Sequence, residues 1–98
     1  MTPTYDPTTR FSREYRKLTS SQLRDFHSAV DDFVIDLKAG KGFRRGLRVK
    51  RVQGYSGVWE MTWAPDGRAT WEYGDEVYPG EPHIIWRRIG GHEIFAQP

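Results

Sequence analysis

The chain has 98 residues and no cysteine, 37% of its residues are apolar, and its formal net charge is +2. This length predicts a single domain over residues 1–98, and the lack of cysteine excludes a disulfide framework and every thiolate metal site. No segment approaches the roughly 20 apolar residues of a membrane span, and the N-terminus lacks the basic and apolar regions of a signal peptide, so we expect a cytoplasmic protein without a membrane partner.

The first predicted helix follows a polar N-terminal stretch. Residues 1–6 are expected to be flexible or to form a short edge strand. Asp6 suits the N-cap of a helix, and Pro7 suits its first helical position, where no amide hydrogen is needed. Three apolar side chains then share one helical face: Phe11, Tyr15 and Leu18.

The second helix has clear signals at both ends. Thr19 and Gln22 form a capping-box pattern, and Gly40 suits a left-handed C-cap. Between these ends, apolar residues recur at spacings of three and four: Leu23, Phe26, Val30, Phe33 and Leu37. Almost nothing separates the two helices, so we expect them to form an antiparallel hairpin.

After Gly46 the apolar period changes to two, which is typical of strands. Strands are predicted over residues 47–52, 58–64, 68–73 and 83–89. Pro65-Asp66-Gly67 predicts a tight hairpin turn, and the acidic segment 74–82 predicts a loop because it is rich in glycine and proline.

These elements predict an α+β fold. In it, a two-helix hairpin packs on a four-stranded, mainly antiparallel twisted sheet, and one sheet face stays open. The open face is expected to gather charged side chains: Arg48, Lys50, Glu60, Arg68 and Arg87. We take this face as the candidate site.

The net charge of +2 hides an asymmetry, since residues 1–53 carry +6 and residues 54–98 carry −4. Much of the positive charge lies in one short segment: Arg44, Arg45, Arg48, Lys50 and Arg51. Such a dense basic segment is typical of a polyanion site. The alternative is a solvated strand edge, where cations prevent edge-to-edge pairing. Composition alone leaves both open.

The order of elements and four short segments resemble the RelE/HigB/YoeB superfamily of type II toxin–antitoxin toxins. The segments are Gly46–Val52, Gly57–Met61, Asp66–Trp71 and Gly91–Phe95, and the resemblance spans about residues 8–95. It implies the RelE-like fold. The chain departs from the family pattern at Met61 and Thr62, where many members carry arginine, and at Phe95, where many carry tyrosine.

The resemblance implies a ribosome-dependent mRNA endonuclease that needs no metal or other cofactor. Such toxins activate a 2′-hydroxyl to attack the adjacent phosphate, and a cognate antitoxin holds them inactive. The implied partners are the antitoxin and mRNA on the ribosome, with DNA contacted only through the antitoxin complex. Two alternatives remain: a non-catalytic RelE-fold protein that acts through antitoxin binding and transcriptional autoregulation, and a ParE-like gyrase poison.

RNA transesterification needs a base, cations for the phosphorane and an acid for the leaving 5′-oxygen. His92 is the candidate acid because imidazole titrates near neutrality, and a nearby carboxylate such as Glu93 could raise its pKa. Arg68, after the hairpin, is the candidate phosphate clamp. The base is Glu60 or Lys50; Glu60 could instead pair with Arg68, and Lys50 could instead bind phosphate.

The remaining candidates concern RNA binding and the other histidines. Resemblance and charge together assign RNA contacts to six residues: Arg44, Arg45, Arg48, Arg51, Tyr55 and Arg87. Tyr55 is the candidate for base stacking, because three tryptophans fall on apolar strand faces: Trp59, Trp63 and Trp71. His27 is expected on the surface, and His83 is expected to be structural.

Overall fold

The computed structural model describes residues 3–98. The helices are α1 (Thr9–Tyr15) and α2 (Ser20–Ala39), and the strands are β1 (Thr4–Pro7), β2 (Lys50–Arg51), β3 (Trp59–Thr62), β4 (Arg68–Gly74) and β5 (His83–Gly90). Two short 3₁₀ helices cover Arg45–Leu47 and His92–Ala96. No helix in this part of the chain has the length and apolar character that crossing a membrane requires.

The sheet confirms the predicted α+β architecture and adds one strand to it. Its order is β1-β5-β4-β3-β2, with β1 parallel to β5 and every other pair antiparallel. The expectation of four strands is wrong because β1 joins the edge of the sheet. The alternative of a short edge strand within residues 1–6 is therefore the observed one, although Met1 and Thr2 lie outside the described residues.

The ends of α2 are as the sequence predicts, whereas the start of α1 is not. Thr19 and Gln22 exchange both hydrogen bonds of a capping box, and Gly40 adopts the left-handed C-cap at φ 68°. The N-cap of α1 is Thr8, whose hydroxyl accepts from the amide of Phe11. Asp6 and its neighbour Pro7 do not begin the helix, because both belong to β1.

The core is an aromatic layer between the helices and the sheet. Phe26 and Phe33 of α2 pack against tryptophans of the sheet with ring centroids 5.2–6.0 Å apart. Trp71 is fully buried and Trp63 is nearly so, which confirms core packing for both. Trp59 is half-buried and stacks on Trp71, with ring centroids 5.7 Å apart. The tryptophans therefore pack mainly with one another and with the helices.

The predicted strand over residues 47–52 is wrong for most of its length, since only Lys50 and Arg51 are β structure. Leu47 instead turns inward in a 3₁₀ helix and is buried, and Arg48 follows in the left-handed region at φ 49°. Burial of Leu47 therefore overrides the alternating pattern. As a consequence, β2 pairs only with the first half of β3.

The sheet face opposite the helices is less open than the sequence predicts. Thr70, in the middle of β4, is fully buried on that face. The segment after β5 packs back on the strand, because Nη1 of Arg88 donates to the carbonyl oxygens of Ile94 and Gln97, and Ile94 is itself fully buried. Thr70 and Ile94 thus close the middle of this face, and β2, β3 and the first residue of β4 stay open beside it.

Candidate active site

Three side chains meet where the β3–β4 hairpin approaches the end of β5. Asp66 lies in the hairpin turn, Arg68 begins β4, and His92 begins the 3₁₀ helix after β5. Oδ1 of Asp66 lies 2.6 Å from Nδ1 of His92, and Nη2 of Arg68 lies 3.2 Å from Nε2 of the same ring. Residues distant in sequence meet here because Arg68 is the cross-strand partner of Gly90.

The two partners of His92 determine which ring nitrogen carries the proton. A guanidinium only donates, so Nε2 accepts from Arg68 and has a lone pair. An ionised carboxylate only accepts, so Nδ1 carries the proton and donates it to Asp66. A carboxylate therefore orients the ring through Nδ1, and Nε2 is turned toward a cation.

The electrostatics of the site keep Asp66 charged. The hydrogen bond from His92 is the main cause that lowers the pKa of Asp66 below its usual value, and the charge of Arg68 acts weakly in the same direction. The side chains of His92 and Asp66 are 62% and 80% exposed, so a ligand can reach both. In residues 3–98, no three or more histidine, aspartate or glutamate side chains are grouped to hold a metal ion.

Arg68 uses its guanidinium in two ways. Nη1 donates to the carbonyl oxygens of Ala64, Pro65 and Gly67 at 2.9–3.3 Å, which braces the turn from within. Nη2 faces His92 and lies nearer the solvent. The residue therefore fixes the hairpin and also presents a donor next to the imidazole.

Two glycines give this arrangement the space it needs. A Cβ atom on Gly67 would lie 2.5 Å from Cδ2 of Trp63, so the turn could not pack on that ring. A Cβ atom on Gly91 would lie 2.7 Å from Oδ2 of Asp66. The same Cβ atom would lie 2.7 Å from Oε2 of Glu93, so a side chain at position 91 would crowd both carboxylates and force a shift there.

The carboxylate beside His92 is Asp66, so the expectation that Glu93 fills this position is wrong. Oε1 of Glu93 instead accepts a hydrogen bond from the backbone amide of Gly91 at 3.0 Å. Phe95 packs edge-on against the His92 ring, with the ring centroids 6.1 Å apart. The aromatic residue of the C-terminal motif thus supports the imidazole.

Lys50 and Glu60 lie on the same sheet face as Arg68 but outside the group of three. They are cross-strand partners of one another, and Glu60 is also opposite Thr70, two residues along β4 from Arg68. No ion pair joins Glu60 to Arg68 among the residues that the structure describes. Both candidate bases therefore lie on the open face beside the three residues.

The six predicted RNA contacts fall into two groups. Arg44 binds Asp32 and Asp36 at 2.9–3.0 Å, and Arg87 binds Glu72 and the carbonyl of Pro98, so these two cations are already paired. The other four are exposed: Arg45, Arg48, Arg51 and Tyr55. Of these, Arg51 lies over the ring of Trp59 on the helix side of the sheet, with its guanidinium carbon 5.3 Å from the centroid.

Asp66 is the functional candidate that the sequence reading missed. It was interpreted only as a turn residue within Pro65-Asp66-Gly67. A signal was present, because a hairpin of this length brings the turn level with the segment after β5, where Gly91-His92 leaves space for a carboxylate. Asp66 and His92 do not show this signal separately, because their proximity depends on the register between β4 and β5.

Three solved structures with the same fold are toxins, and one of them was solved as an antitoxin-toxin complex. The chain is 17% identical to a copper-bound mutant toxin from Helicobacter pylori, with a TM-score of 0.68 over 95% of this chain and 97% of that one. It is 13% identical to a YoeB/ParE toxin from Agrobacterium tumefaciens, with a TM-score of 0.66 over 91% and 98%. It is 11% identical to a chain of the RelB-RelE antitoxin-toxin complex from Methanococcus jannaschii, with a TM-score of 0.62 over 92% and 93%.

At the sequence level, the chain matches no family model and no curated protein. The structural matches nevertheless cover more than 90% of both chains in each case. The chain has the RelE-like fold of toxin–antitoxin toxins.

Proposed function

We propose that this protein is the toxin of a type II toxin–antitoxin system and cleaves mRNA on the ribosome without a metal. The observation that carries the proposal is the chain of contacts from Asp66 through His92 to Arg68 on an exposed hairpin end. A buried ion pair would serve stability, whereas this group is open to solvent and offers a lone pair beside a cation. Similarity to solved toxins supports the same proposal.

The proposed reaction is attack of a 2′-hydroxyl on the adjacent phosphate. Nε2 of His92 accepts the hydroxyl proton as the new O–P bond forms, and Asp66 stabilises the resulting imidazolium through Nδ1. Nη2 of Arg68 leaves the ring and binds the crowded phosphate, whose negative charge grows during attack. The imidazolium then returns the proton to the leaving 5′-oxygen as the P–O bond breaks. The products are a 2′,3′-cyclic phosphate and a 5′-hydroxyl. His92 takes up one proton and releases one proton, so it ends in its starting state.

Exposed cations supply the binding part of the proposal. Arg45, Arg48 and Lys50 make no ion pair within residues 3–98, so their charge is available to a polyanion. Phosphate contacts position a nucleic acid without reading its sequence. We assign the remaining contacts with mRNA to the ribosome, and inhibition to an antitoxin, since one neighbour was solved as an antitoxin-toxin complex. The proposed location is the cytoplasm.

The test is expression with and without the product of the adjacent gene. Growth arrest with cut mRNA, relieved by the neighbouring product, is expected. His92→Ala should lower cleavage by about 10²- to 10⁴-fold, the contribution typical of a positioned acid–base group. His27→Ala is the matched control, because that ring is exposed and contacts only the hydroxyl of Tyr15 by hydrogen bond.

Other outcomes would identify the alternatives. Growth arrest with intact mRNA and induced DNA damage indicates a gyrase poison, which does not need His92. Binding of the neighbouring product without any arrest indicates a non-catalytic partner in a repressor complex. Either result contradicts the proposed cleavage.

A further inference from the structure

A second concave surface begins at Arg68 and runs away from the three residues. It is a groove of about 540 Å³ between α2, the 44–48 segment and the outer edge of β3. The groove exists because β2 pairs only with Trp59 and Glu60, so no strand covers the rest of that edge. Its volume falls in the range of about 300–1,000 Å³ that is typical of small-molecule sites.

The two walls of the groove differ in their unpaired charges, since the cation of Arg44, which also lines the groove, is bound to Asp32 and Asp36 of α2. Arg48 and Arg68 line the sheet side. Asp25 and Ser28 of α2 line the other side, and both are exposed. Asp25 has no hydrogen-bond or ion-pair partner within residues 3–98, unlike Asp32 on the same wall, which is bound by Arg44. One carboxylate therefore faces the groove unpaired.

Two further features indicate a surface arranged for a ligand. Arg48 adopts a left-handed backbone at φ 49°, the only non-glycine residue in the described part of the chain with positive φ. Such conformations persist where the surroundings hold them, and they cluster at ligand sites. Trp63 also lines the groove, and its buried indole N–H has no acceptor.

We propose that this groove holds a nucleotide that flanks the cleaved bond, and that Asp25 selects a base with an exocyclic amine over uracil. The inference rests on the proposed ribonuclease function. A phosphate belongs on the arginine wall, which turns the attached base toward α2. There a carboxylate accepts from the amino group of guanine, adenine or cytosine. Uracil offers only its N3–H, and the two carbonyl oxygens that flank this donor repel the carboxylate.

Electrostatic repulsion between the Asp25 carboxylate and the RNA phosphates is weak enough to allow a base to bind beside Asp25. Asp25 is exposed, and charges on the surface are screened over about 8–10 Å at physiological salt. The Asp25 carboxylate also repels the RNA phosphate from α2, and this repulsion keeps the phosphate on the side of Arg48 and Arg68. The two walls then specify the orientation of the nucleotide as well as its base.

The test compares cleavage maps of one translated mRNA for wild type, Asp25→Asn and Asp31→Asn. Asp31 is the matched control, because it is an exposed aspartate of the same helix that does not line the groove. Wild type should cut rarely where uracil occupies one fixed position flanking the cut. Asp25→Asn should raise the share of cuts at uracil about five- to tenfold, since an amide donates to a uracil carbonyl. Asp31→Asn should match wild type.

The outcomes separate this inference from the proposed function. If wild type cuts mRNA and Asp25→Asn leaves the base distribution unchanged, the inference is wrong and the ribonuclease stands. If Asp25→Asn weakens binding of the antitoxin and leaves the cleavage map unchanged, the groove is a protein interface and the inference is again wrong. If wild type cuts no mRNA under conditions of growth arrest, both proposals fail.

Discussion

Two histidine–aspartate pairs lie at the two ends of β5 and differ in what surrounds them. At its start, Nε2 of His83 lies 3.1 Å from Oδ2 of Asp6, and its Nδ1 lies 2.7 Å from the hydroxyl of Thr4. Just after its end, His92 binds Asp66 at 2.6 Å. The His83 side chain is 8% exposed and the His92 side chain is 62% exposed.

The second partner of each ring explains the difference in role. Thr4 and Asp6 both belong to β1, so His83 ties the parallel edge strand to the sheet through both ring nitrogens. His92 has a cation as its second partner, and that cation also holds the hairpin. A pair of the same residue types is therefore structural where the ring is buried between two side chains of one strand, and suited to chemistry where the ring is exposed and its second partner is a cation.

His83→Ala is expected to give the largest effect, and on stability. The change empties a buried site and leaves the Thr4 and Asp6 side chains without their partner, which together cost about 2–4 kcal/mol in the free energy of unfolding. Urea unfolding followed by circular dichroism measures it, with His27→Ala as the exposed control. If His83→Ala left the stability unchanged and abolished mRNA cleavage, His83 would have the chemical role that is assigned to His92.

Asp66→Asn is expected to lower the cleavage rate about ten- to hundredfold, part of what the histidine itself contributes. The amide still fills the turn, but it no longer stabilises the imidazolium by charge. The matched control is Asp6→Asn, which makes the same change in the other pair and should leave the cleavage rate at the wild-type level. Single-turnover cleavage on programmed ribosomes distinguishes them, and equal losses in both variants would contradict the comparison.

Local signals predicted most of the fold. The capping box at Thr19, the C-cap at Gly40 and the apolar stripe between them define α2 almost to the residue, because each acts within a few positions of the chain. Pro65-Asp66-Gly67 likewise predicted the hairpin. The strand β1 was only one of two alternatives, since its pairing with β5 joins residues separated by 79 positions, as for Thr4 and His83.

The sequence predicts most residues of the candidate site, but it does not predict which side chains contact one another there. His92 and Arg68 were identified, and the structure brings them together. Asp66 was missed because a turn residue and a catalytic partner have the same local sequence. The RNA contact of Arg44 stays a prediction, and the structure adds its bond to Asp36, eight residues earlier across the end of α2. The contacts of Asp66 and of Arg44 both join side chains of different parts of the fold, and periodicity carries no information about such pairing.

The smallest expected effect is a shift in the titration of Asp66. Because its pKa is lowered, the pair with His92 contributes to the folded state above the usual value of 3.8, and this contribution is lost as the pH falls through the lowered pKa. Because both side chains are exposed, the pair changes the free energy of unfolding too little for an unfolding curve to detect. Carboxyl chemical shifts from NMR measure it directly: the Asp66 midpoint should lie below 3.8 in wild type and rise toward 3.8 in His92→Gln. A midpoint that stays unchanged in this variant would contradict the hydrogen bond from His92 as the main cause of the lowered pKa.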